Sequence, residues 1–184
     1  MNPIDRQKQA AAAAAALEIE DGMTVGLGTG STAAHFVTAL AHRAAAEKLR
    51  LQCVSTSRVT ADQAVGLGLT VLPLDDVETI DITVDGADEI GPGLSLIKGG
   101  GAALLREKLV WESSRRCIVI ADAAKVVATL GAFPLPVEVV AFGHTATARR
   151  IDAAIRALES KPCCSHKKPC ALRRSRPCGR LLNR

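Results

Sequence analysis

The sequence predicts an α/β fold in which a Rossmann-like parallel sheet is flanked by helices. Short apolar runs of strand length alternate with alanine-rich stretches of helical length, which is typical of parallel strands joined by crossover helices. The composition indicates a packed globular domain, because 48% of the 184 residues are hydrophobic and 23% are charged. The core must be aliphatic, since the chain has three Phe, one Trp and no Tyr.

The first half of the chain predicts three helices and four strands. A helix is expected over residues 5–20, because Asp21-Gly22 is a favourable stop. The strand "TVGLG" leads to a helix over residues 31–49, and the strand "LQCVS" leads to a helix over residues 59–65. Strands at "LTVLPL" and "DITVD" follow.

The second half continues the pattern after a loop. We expect a helix over residues 102–113, the strand "CIVIAD", a short helix over 125–130, the strand "FPLPVEVV" and the helix "TATARRIDAAIRAL". This order predicts a Rossmann-like catalytic domain over residues 1–132. The beginning of a small α+β domain is expected over 133–158, and an irregular tail over 159–184.

The tail differs from the rest of the chain in charge and cysteine content. Residues 159–184 hold eight of the 23 Lys and Arg but one of the 19 Asp and Glu, so the remaining body is slightly acidic. The tail lacks a hydrophobic period, which predicts disorder. An alternative is zinc binding, although the spacing fits no paired CxxC pattern. The candidate ligands are Cys163, Cys164, His166, Cys170 and Cys178.

The cellular location is predicted from the lack of a membrane span and of a signal peptide in the sequence. No apolar run approaches the roughly 18 to 20 residues of a membrane span, and the N-terminus lacks a signal-peptide hydrophobic region. We therefore expect a cytoplasmic protein with no membrane partner. No nucleic acid partner is expected either, although the basic tail could touch nucleic acid electrostatically without a recognisable reading module. Cys53 and Cys117 lie in predicted strands and are expected to be buried, reduced thiols.

A glycine-rich turn, "GLGTGST", follows the first predicted strand. Gly28 and Gly30 allow the backbone to approach a ligand, and Ser31 and Thr32 add hydroxyl groups. Free amides at the start of the next helix favour anions, above all phosphate. The motif is neither a dinucleotide fingerprint nor a P-loop. A tight turn with a capping Ser explains it equally well.

Two further motifs bring charge to the same edge of the predicted sheet. "VDGADE" places Asp85 and Asp88 after a strand, although both residue types are also common in turns. "KGGGAALLREK" begins with Lys98 and continues into a helix that carries Glu107 among largely apolar neighbours. Three consecutive glycines are costly to order, which favours amides that face a ligand.

These side chains predict proton-transfer chemistry. A glutamate held against apolar side chains has a raised pKa and suits a general base that removes a proton next to a carbonyl. An ammonium group and preorganised amides would stabilise the resulting enediolate. The set of groups is typical of an aldose–ketose isomerase without a metal or organic cofactor.

Five blocks together resemble ribose-5-phosphate isomerases of type A over about residues 1–158. They are "GLGTGSTAAHFV", "VDGADEI", "IKGGGAALLREK", "IADAAK" and "FPLPVEV", in this order and spacing. The resemblance implies interconversion of D-ribose 5-phosphate and D-ribulose 5-phosphate in the non-oxidative pentose phosphate pathway. It also implies a small sugar phosphate as substrate, no metal or cofactor, and a homodimer or homotetramer.

The resemblance also implies residue roles. Glu107 would move the proton between C1 and C2, while Lys98 and the amides of Gly99, Gly100 and Gly101 would hold the sugar oxygens and the enediolate. Asp85 would help to open the furanose ring, with Asp88 beside it. The other residues expected to bind the substrate, mainly at its phosphate end, are Thr29, Gly30, Ser31, Thr32, Gly86, Ala87 and Lys125.

Two nearby side chains are assigned ordinary roles. Lys8 lies on the first predicted helix and is expected to be solvated, with contact to the phosphate as the alternative. Trp111 lies one helical turn after Glu107 and is expected to pack in the core rather than to contact the sugar.

The sequence departs from the family pattern after Leu158, where family members continue with further strands. A shifted reading frame is the explanation we favour, with a splice or fusion as alternatives. Two hypotheses follow. The chain is an isomerase whose implied catalytic residues all precede the change, or it is a catalytically impaired sugar-phosphate-binding domain with a basic interaction tail.

Overall fold

The computed structural model describes residues 2–159, in which helices and strands alternate. The helices are α1 (Pro3–Ala16), α2 (Ser31–Glu47), α3 (Arg58–Gly66), α4 (Leu104–Glu112) and α5 (His144–Glu159). The strands are β1 (Thr24–Leu27), β2 (Gln52–Ser55), β3 (Thr70–Leu72), β4 (Ile80–Asp85), β5 (Glu89–Ile90), β6 (Leu96–Ile97) and β7 (Ser114–Val119). Single 3₁₀ turns lie at Leu74–Asp76, Pro92–Leu94 and Ala123–Lys125.

Five strands form one sheet in the order β3-β2-β1-β4-β7, and each neighbouring pair is parallel. Strands β5 and β6 form a separate antiparallel pair. The predicted α/β class with a parallel sheet and flanking helices is therefore confirmed.

Helices cover both faces of the sheet. The larger core joins α1, α2 and α3 to one face, with Phe36 and Leu40 fully buried at its centre. Alanines of α1 permit close packing against α2, and the Asn2 side chain caps α1 by accepting from the Ile4 amide. A smaller cluster lies on the other side, where Val110 of α4 packs with Val54 and Ile80.

The strand order changes direction at β1, which is the switch point of the sheet. Strands β2 and β3 lie on one side of β1, whereas β4 and β7 lie on the other. Ligands of open parallel sheets bind at such a switch point, outside the carboxyl ends of the strands. Leu27 pairs with Val84, and the Gly28 amide donates to the Val84 carbonyl at 2.9 Å. The glycine turn after β1 and Asp85 at the end of β4 are therefore neighbours.

Several predicted boundaries differ from the structure, among them the strand predicted at "CIVIAD", which lies three residues earlier at Ser114–Val119. Helix α1 ends at Ala16 rather than near residue 20, and the Arg43 guanidinium donates to the carbonyls of Ala16 and Ile19. Helix α2 ends at Glu47 because Lys48 adopts a left-handed conformation with φ 58°. Helix α4 begins at Leu104, two residues later than predicted.

The segment after β7 differs more strongly. The predicted helix over residues 125–130 and the predicted strand over 133–140 are wrong. Instead, the Val127 amide donates to the Ile90 carbonyl at 2.9 Å, and the Phe133 amide donates to the Glu89 side chain. These tertiary hydrogen bonds override the local pattern, and the two prolines at 134 and 136 have no N–H to donate to a strand ladder.

The two cysteines of the body have different environments. Cys53 is buried in β2 as predicted, and burial raises the pKa of its thiol to about 12. Cys117 lies in β7 at the edge of the sheet and is exposed, so its predicted burial is wrong.

The chain divides into two compact units, with the boundary between Glu138 and Val139. Among the described residues, the second unit contains α5, in which the half-buried Ile151 and Ile155 are four residues apart and share one helix face. Within residues 2–159, no helix has the length and apolar content needed to cross a bilayer. The disorder predicted for the tail and its candidate zinc ligands concern residues outside the described part, apart from Glu159.

Candidate active site

A cavity of about 160 Å³ opens at the switch point of the sheet. Most of the residues expected to bind or convert a substrate line this one cavity. They are Thr29, Gly30, Ser31, Thr32, Gly86, Ala87, Asp88, Lys98, Gly99, Gly101, Glu107 and Lys125. The structure therefore brings together motifs that are separated by almost a hundred residues.

Lys98 is the centre of the charged part of the cavity. Its Nζ donates to Asp85 Oδ2 at 3.0 Å and to the Gly86 carbonyl at 2.6 Å. The same nitrogen lies 3.3 Å from Glu107 Oε2. An ammonium group has three N–H donors, so each can face one of these three oxygens. One cation thus compensates two buried carboxylates.

Glu107 lies in the first turn of α4, directly after the glycine segment. It is 4% exposed, and its Oε2 accepts no hydrogen bond within residues 2–159 although it is ion-paired with Lys98. Burial raises the pKa of Glu107, the charge of Asp85 raises it further, and Lys98 opposes both effects. A raised pKa suits a carboxylate that takes and returns a proton.

Asp85 lies beneath the cavity instead of on its wall. It is fully buried, and its Oδ1 accepts from the amides of Thr29 at 3.1 Å and Gly86 at 2.7 Å. Burial raises its pKa, while Lys98 opposes the shift. The side chain fills the space next to Gly28, which has no Cβ. The expected contact of Asp85 with the sugar ring differs from this arrangement, in which the carboxylate holds Lys98 and the turn after β1.

Asp88 organises the glycine segment. Its Oδ2 accepts from the Gly100 amide at 2.8 Å, and Gly100 does not line the cavity. The expectation that three consecutive amides face a ligand therefore requires correction at Gly100. Gly99 and Gly101 remain on the cavity wall, and Asp88 itself also reaches it.

The cavity wall also has a cationic part that is rich in hydroxyl groups, called here its cationic end. Lys8 of α1 donates to Ser31 Oγ at 3.0 Å and lines the cavity together with Lys125. Helix α2 starts at Ser31, and no side chain caps its first turn, so its amides can receive an anion. Lys8 was expected to be a solvated surface lysine, and the structure shows it half-buried at the edge of the cavity. Local pattern could not reveal its role, because the packing of α1 against α2 places it.

Sequence reasoning assigned no role to Glu89, which anchors the segment opposite the glycines. Its carboxylate accepts from the Gly131 amide at 2.7 Å and from the Phe133 amide. Phe133 then packs so closely on Gly100 that a Cβ there would lie 2.8 Å from Phe133 Cζ. These hydrogen bonds lower the pKa of Glu89. Neighbours more than 40 residues away in sequence define this role.

Replacing Glu89 with glutamine is expected to lower the melting temperature at pH 7. A carboxyl group whose pKa is depressed by folding stabilises the fold above its ordinary pKa of 4.5, and this contribution is lost as the pH falls through the folded value. Thermal melts from pH 7 to pH 3 should therefore show the two proteins converging. The exposed Glu78→Gln is the matched control, and a deficit that does not depend on pH would contradict the role of the charge.

Comparisons with known proteins give one family. The model of the family "Ribose 5-phosphate isomerase A (phosphoriboisomerase A)" matches residues 52–170. A ribose-5-phosphate isomerase A from Caulobacter sp. (strain K31) is 66% identical over 147 residues, which are 80% of this chain and 63% of that protein. The protein of the same name from Dinoroseobacter shibae is 56% identical over 155 residues, covering 84% of this chain and 60% of that protein.

Solved structures give the same result. The ribose 5-phosphate isomerase A of Methanocaldococcus jannaschii superposes with a TM-score of 0.79 at 36% identity, covering 82% of this chain and 67% of the other. A D-ribose-5-phosphate isomerase in complex with phospho-erythronic acid also gives a TM-score of 0.79, at 37% identity over 83% of this chain and 67% of that one. The chain spans less than two thirds of the length of the curated relatives named above. The match in sequence and fold shows that the chain belongs to the ribose 5-phosphate isomerase A family.

Proposed function

We propose that the chain is an aldose–ketose isomerase that interconverts D-ribose 5-phosphate and D-ribulose 5-phosphate. The observation that carries the proposal is the ion pair of Glu107 and Lys98 on the wall of one cavity. Lys98 Nζ lies 3.3 Å from Glu107 Oε2. A carboxylate with a raised pKa beside an ammonium group provides both a base and a compensating charge. Asp85, Lys98 and Glu107 lie within residues 52–170, the part of the chain that the family model matches.

The reaction begins when Glu107 removes the proton from C2 of the open-chain aldose. The electron pair of the C–H bond forms the C1–C2 double bond, and the carbonyl electrons move to O1, which becomes the negative oxygen of an enediolate. Glu107 then returns the proton to C1, while a hydroxyl proton moves from O2 to O1 and C2 becomes the carbonyl carbon. No atom or electron is gained or lost.

Lys98 is coupled to this proton transfer by charge. Of the three oxygen contacts of Lys98, the one to Glu107 is the longest. When Glu107 takes the proton, its negative charge disappears and this contact weakens. An N–H of Lys98 can then donate to the enediolate oxygen, where the negative charge has moved. Asp85, beneath the cavity, keeps the ammonium group in place during this exchange.

The phosphate of the substrate is placed at the cationic end of the cavity. Lys8, Lys125 and the hydroxyl groups of Ser31 and Thr32 lie there with the uncapped start of α2. This position leaves the sugar carbons toward Glu107 and the glycine segment.

Lys8→Met is expected to raise KM about 10- to 100-fold with little change in kcat, because a hydrogen bond to a charged group contributes roughly 1.5–3 kcal/mol to binding. Steady-state kinetics with ribose 5-phosphate measure both constants. Arg6→Met, on the same helix and outside the cavity, is the control. An equal effect of the two substitutions would contradict a phosphate contact by Lys8.

The test of the function is direct turnover by the purified chain. Ribose 5-phosphate should be converted to ribulose 5-phosphate without added metal or organic cofactor. A folded chain that binds ribose 5-phosphate but forms no ribulose 5-phosphate would instead be a sugar-phosphate-binding domain.

The setting of the activity is also a proposal. Residues 1–132 would act as the catalytic domain in the cytoplasm, within a homodimer or homotetramer, as family membership implies. The partner is the small sugar phosphate, and neither a nucleic acid nor a membrane is required. Light scattering of the purified chain measures the assembly.

A further inference from the structure

Trp111 contacts Lys98, the charged centre of the cavity, although its own side chain does not line the cavity. It lies four residues after Glu107 on α4, so the two side chains share one face of the helix. The Lys98 Nζ lies over its ring, 5.5 Å from the centroid. Core packing was the role expected for this residue, and the contact with Lys98 goes beyond that role.

The surroundings of the ring favour an electrostatic contribution. The Trp111 Nε1 is buried and has no hydrogen-bond partner within residues 2–159, so a hydrogen bond does not explain the placement of the ring there. A cation over an aromatic face is attracted by the ring quadrupole, most strongly for Trp and most strongly when water is excluded. The Lys98 side chain is 13% exposed, which meets the second condition.

We propose that Trp111 is a positioning residue that holds the Lys98 ammonium group in place while negative charge moves from Glu107 to the substrate. Its catalytic consequence rests on the proposed isomerase function, whereas the contact itself does not.

The reason lies in what changes during proton transfer. The acidic groups around Lys98 and Glu107 are Asp85, Glu107 itself and, at longer range, Asp88. Glu107 loses its charge when it takes the proton, so Lys98 loses one of its oxygen contacts at that moment. The ring of Trp111 carries no net charge and does not titrate. Its attraction for the ammonium group therefore persists through both states of Glu107.

The composition of the chain makes the contact measurable. The sequence has one Trp and no Tyr, so tryptophan emission reports this ring alone. Lys98→Met should shift the emission of Trp111, because it removes the charge over the ring. Arg106→Met removes an exposed charge on the same helix and should leave the emission unchanged. Identical spectra for the wild type and Lys98→Met would overturn the proposal.

Binding of phospho-erythronic acid tests the positioning role without turnover. In calorimetry, Trp111→Leu should bind this acid about 5- to 30-fold more weakly, while Trp111→Phe should remain within about threefold of the wild type. Leu109→Ala, at a half-exposed position of the same helix, should bind like the wild type. Wild-type affinity in Trp111→Leu would overturn the proposal.

Fluorinated tryptophan separates the electrostatic contribution from packing. Because the chain has one Trp, growth on fluorotryptophans changes this ring alone, and each fluorine weakens the ring quadrupole with little change of shape. Affinity for phospho-erythronic acid should fall stepwise with fluorine number. A flat series would overturn the proposal even if Trp111→Leu failed to fold. If the affinity fell stepwise but the protein showed no turnover of ribose 5-phosphate, the proposed function would be refuted and the positioning role of Trp111 would stand.

Discussion

Glu107→Gln is expected to lower kcat by about 10²- to 10⁴-fold, the range for loss of a positioned general base. Glutamine keeps the size and the polar end of the side chain but cannot accept the C2 proton. Steady-state kinetics with ribose 5-phosphate measure the loss, and KM should change less than kcat because the phosphate end of the cavity is untouched. Glu112→Gln, at an exposed position of the same helix, is the control and should keep the wild-type rate.

The same substitution is expected to raise the melting temperature at neutral pH. Burial and Asp85 raise the pKa of Glu107, so its ionised form is less favourable in the folded than in the unfolded chain. The associated stability is fully present below the ordinary pKa of 4.5 and is lost as the pH rises through the folded value. A neutral amide avoids this loss, and each kcal/mol gained raises the melting temperature by about 2–4 °C. The gain should vanish near pH 4. A variant less stable than the wild type at pH 7 would contradict the claim that ionised Glu107 destabilises the folded chain.

Gly28→Ala is expected to have the largest effect on the fold. A Cβ at this position would lie 2.1 Å from Asp85 Oδ1 and 2.6 Å from Asp85 Cα. The second contact is with backbone that is paired in the sheet, so rotation of a side chain cannot relieve it. Overpacking of this kind costs roughly 1–3 kcal/mol or more, a large part of a typical stability of about 5–15 kcal/mol.

The substitution should also reduce activity in the fraction that remains folded. Displacement of Asp85 removes the oxygen that holds Lys98 at 3.0 Å and the acceptor of the Thr29 amide. Thermal melting and kcat should therefore decline together. Gly66→Ala, where a Cβ meets nothing within 4 Å, is the control and should be neutral or slightly stabilising. A Gly28→Ala protein that melts like the wild type would show that the close approach of β1 and β4 is not required.

The sequence was sufficient to predict the order of the parallel elements and the edge at which the motifs meet. Apolar runs of strand length and alanine-rich stretches of helix length indicate the order of strands and helices. The rule that ligands bind at the switch point of a parallel sheet then predicts where the site lies. Glu107 and Lys98 could be selected because a charged residue among apolar neighbours or beside three glycines is conspicuous in a single sequence.

The depth and orientation of individual groups could not be predicted from local pattern. Asp85 lies under the cavity because the missing Cβ of Gly28 leaves room there, which depends on the register of two strands. Lys8 reaches Ser31 through helix packing, and Glu89 fixes residues 131–133 through hydrogen bonds to distant amides. The same distant bonds explain why the strand predicted after residue 132 is absent.

The central claim is that Glu107 removes the hydrogen on C2 of the sugar, and ribose 5-phosphate deuterated at C2 tests it most directly. Magnetic resonance of the carbon positions follows the label during incubation with the chain. With the wild type, the account predicts that deuterium leaves C2 and passes either to C1 or to water, whereas with Glu107→Gln it stays on C2. Loss of the label from C2 at the wild-type rate in Glu107→Gln would contradict the account.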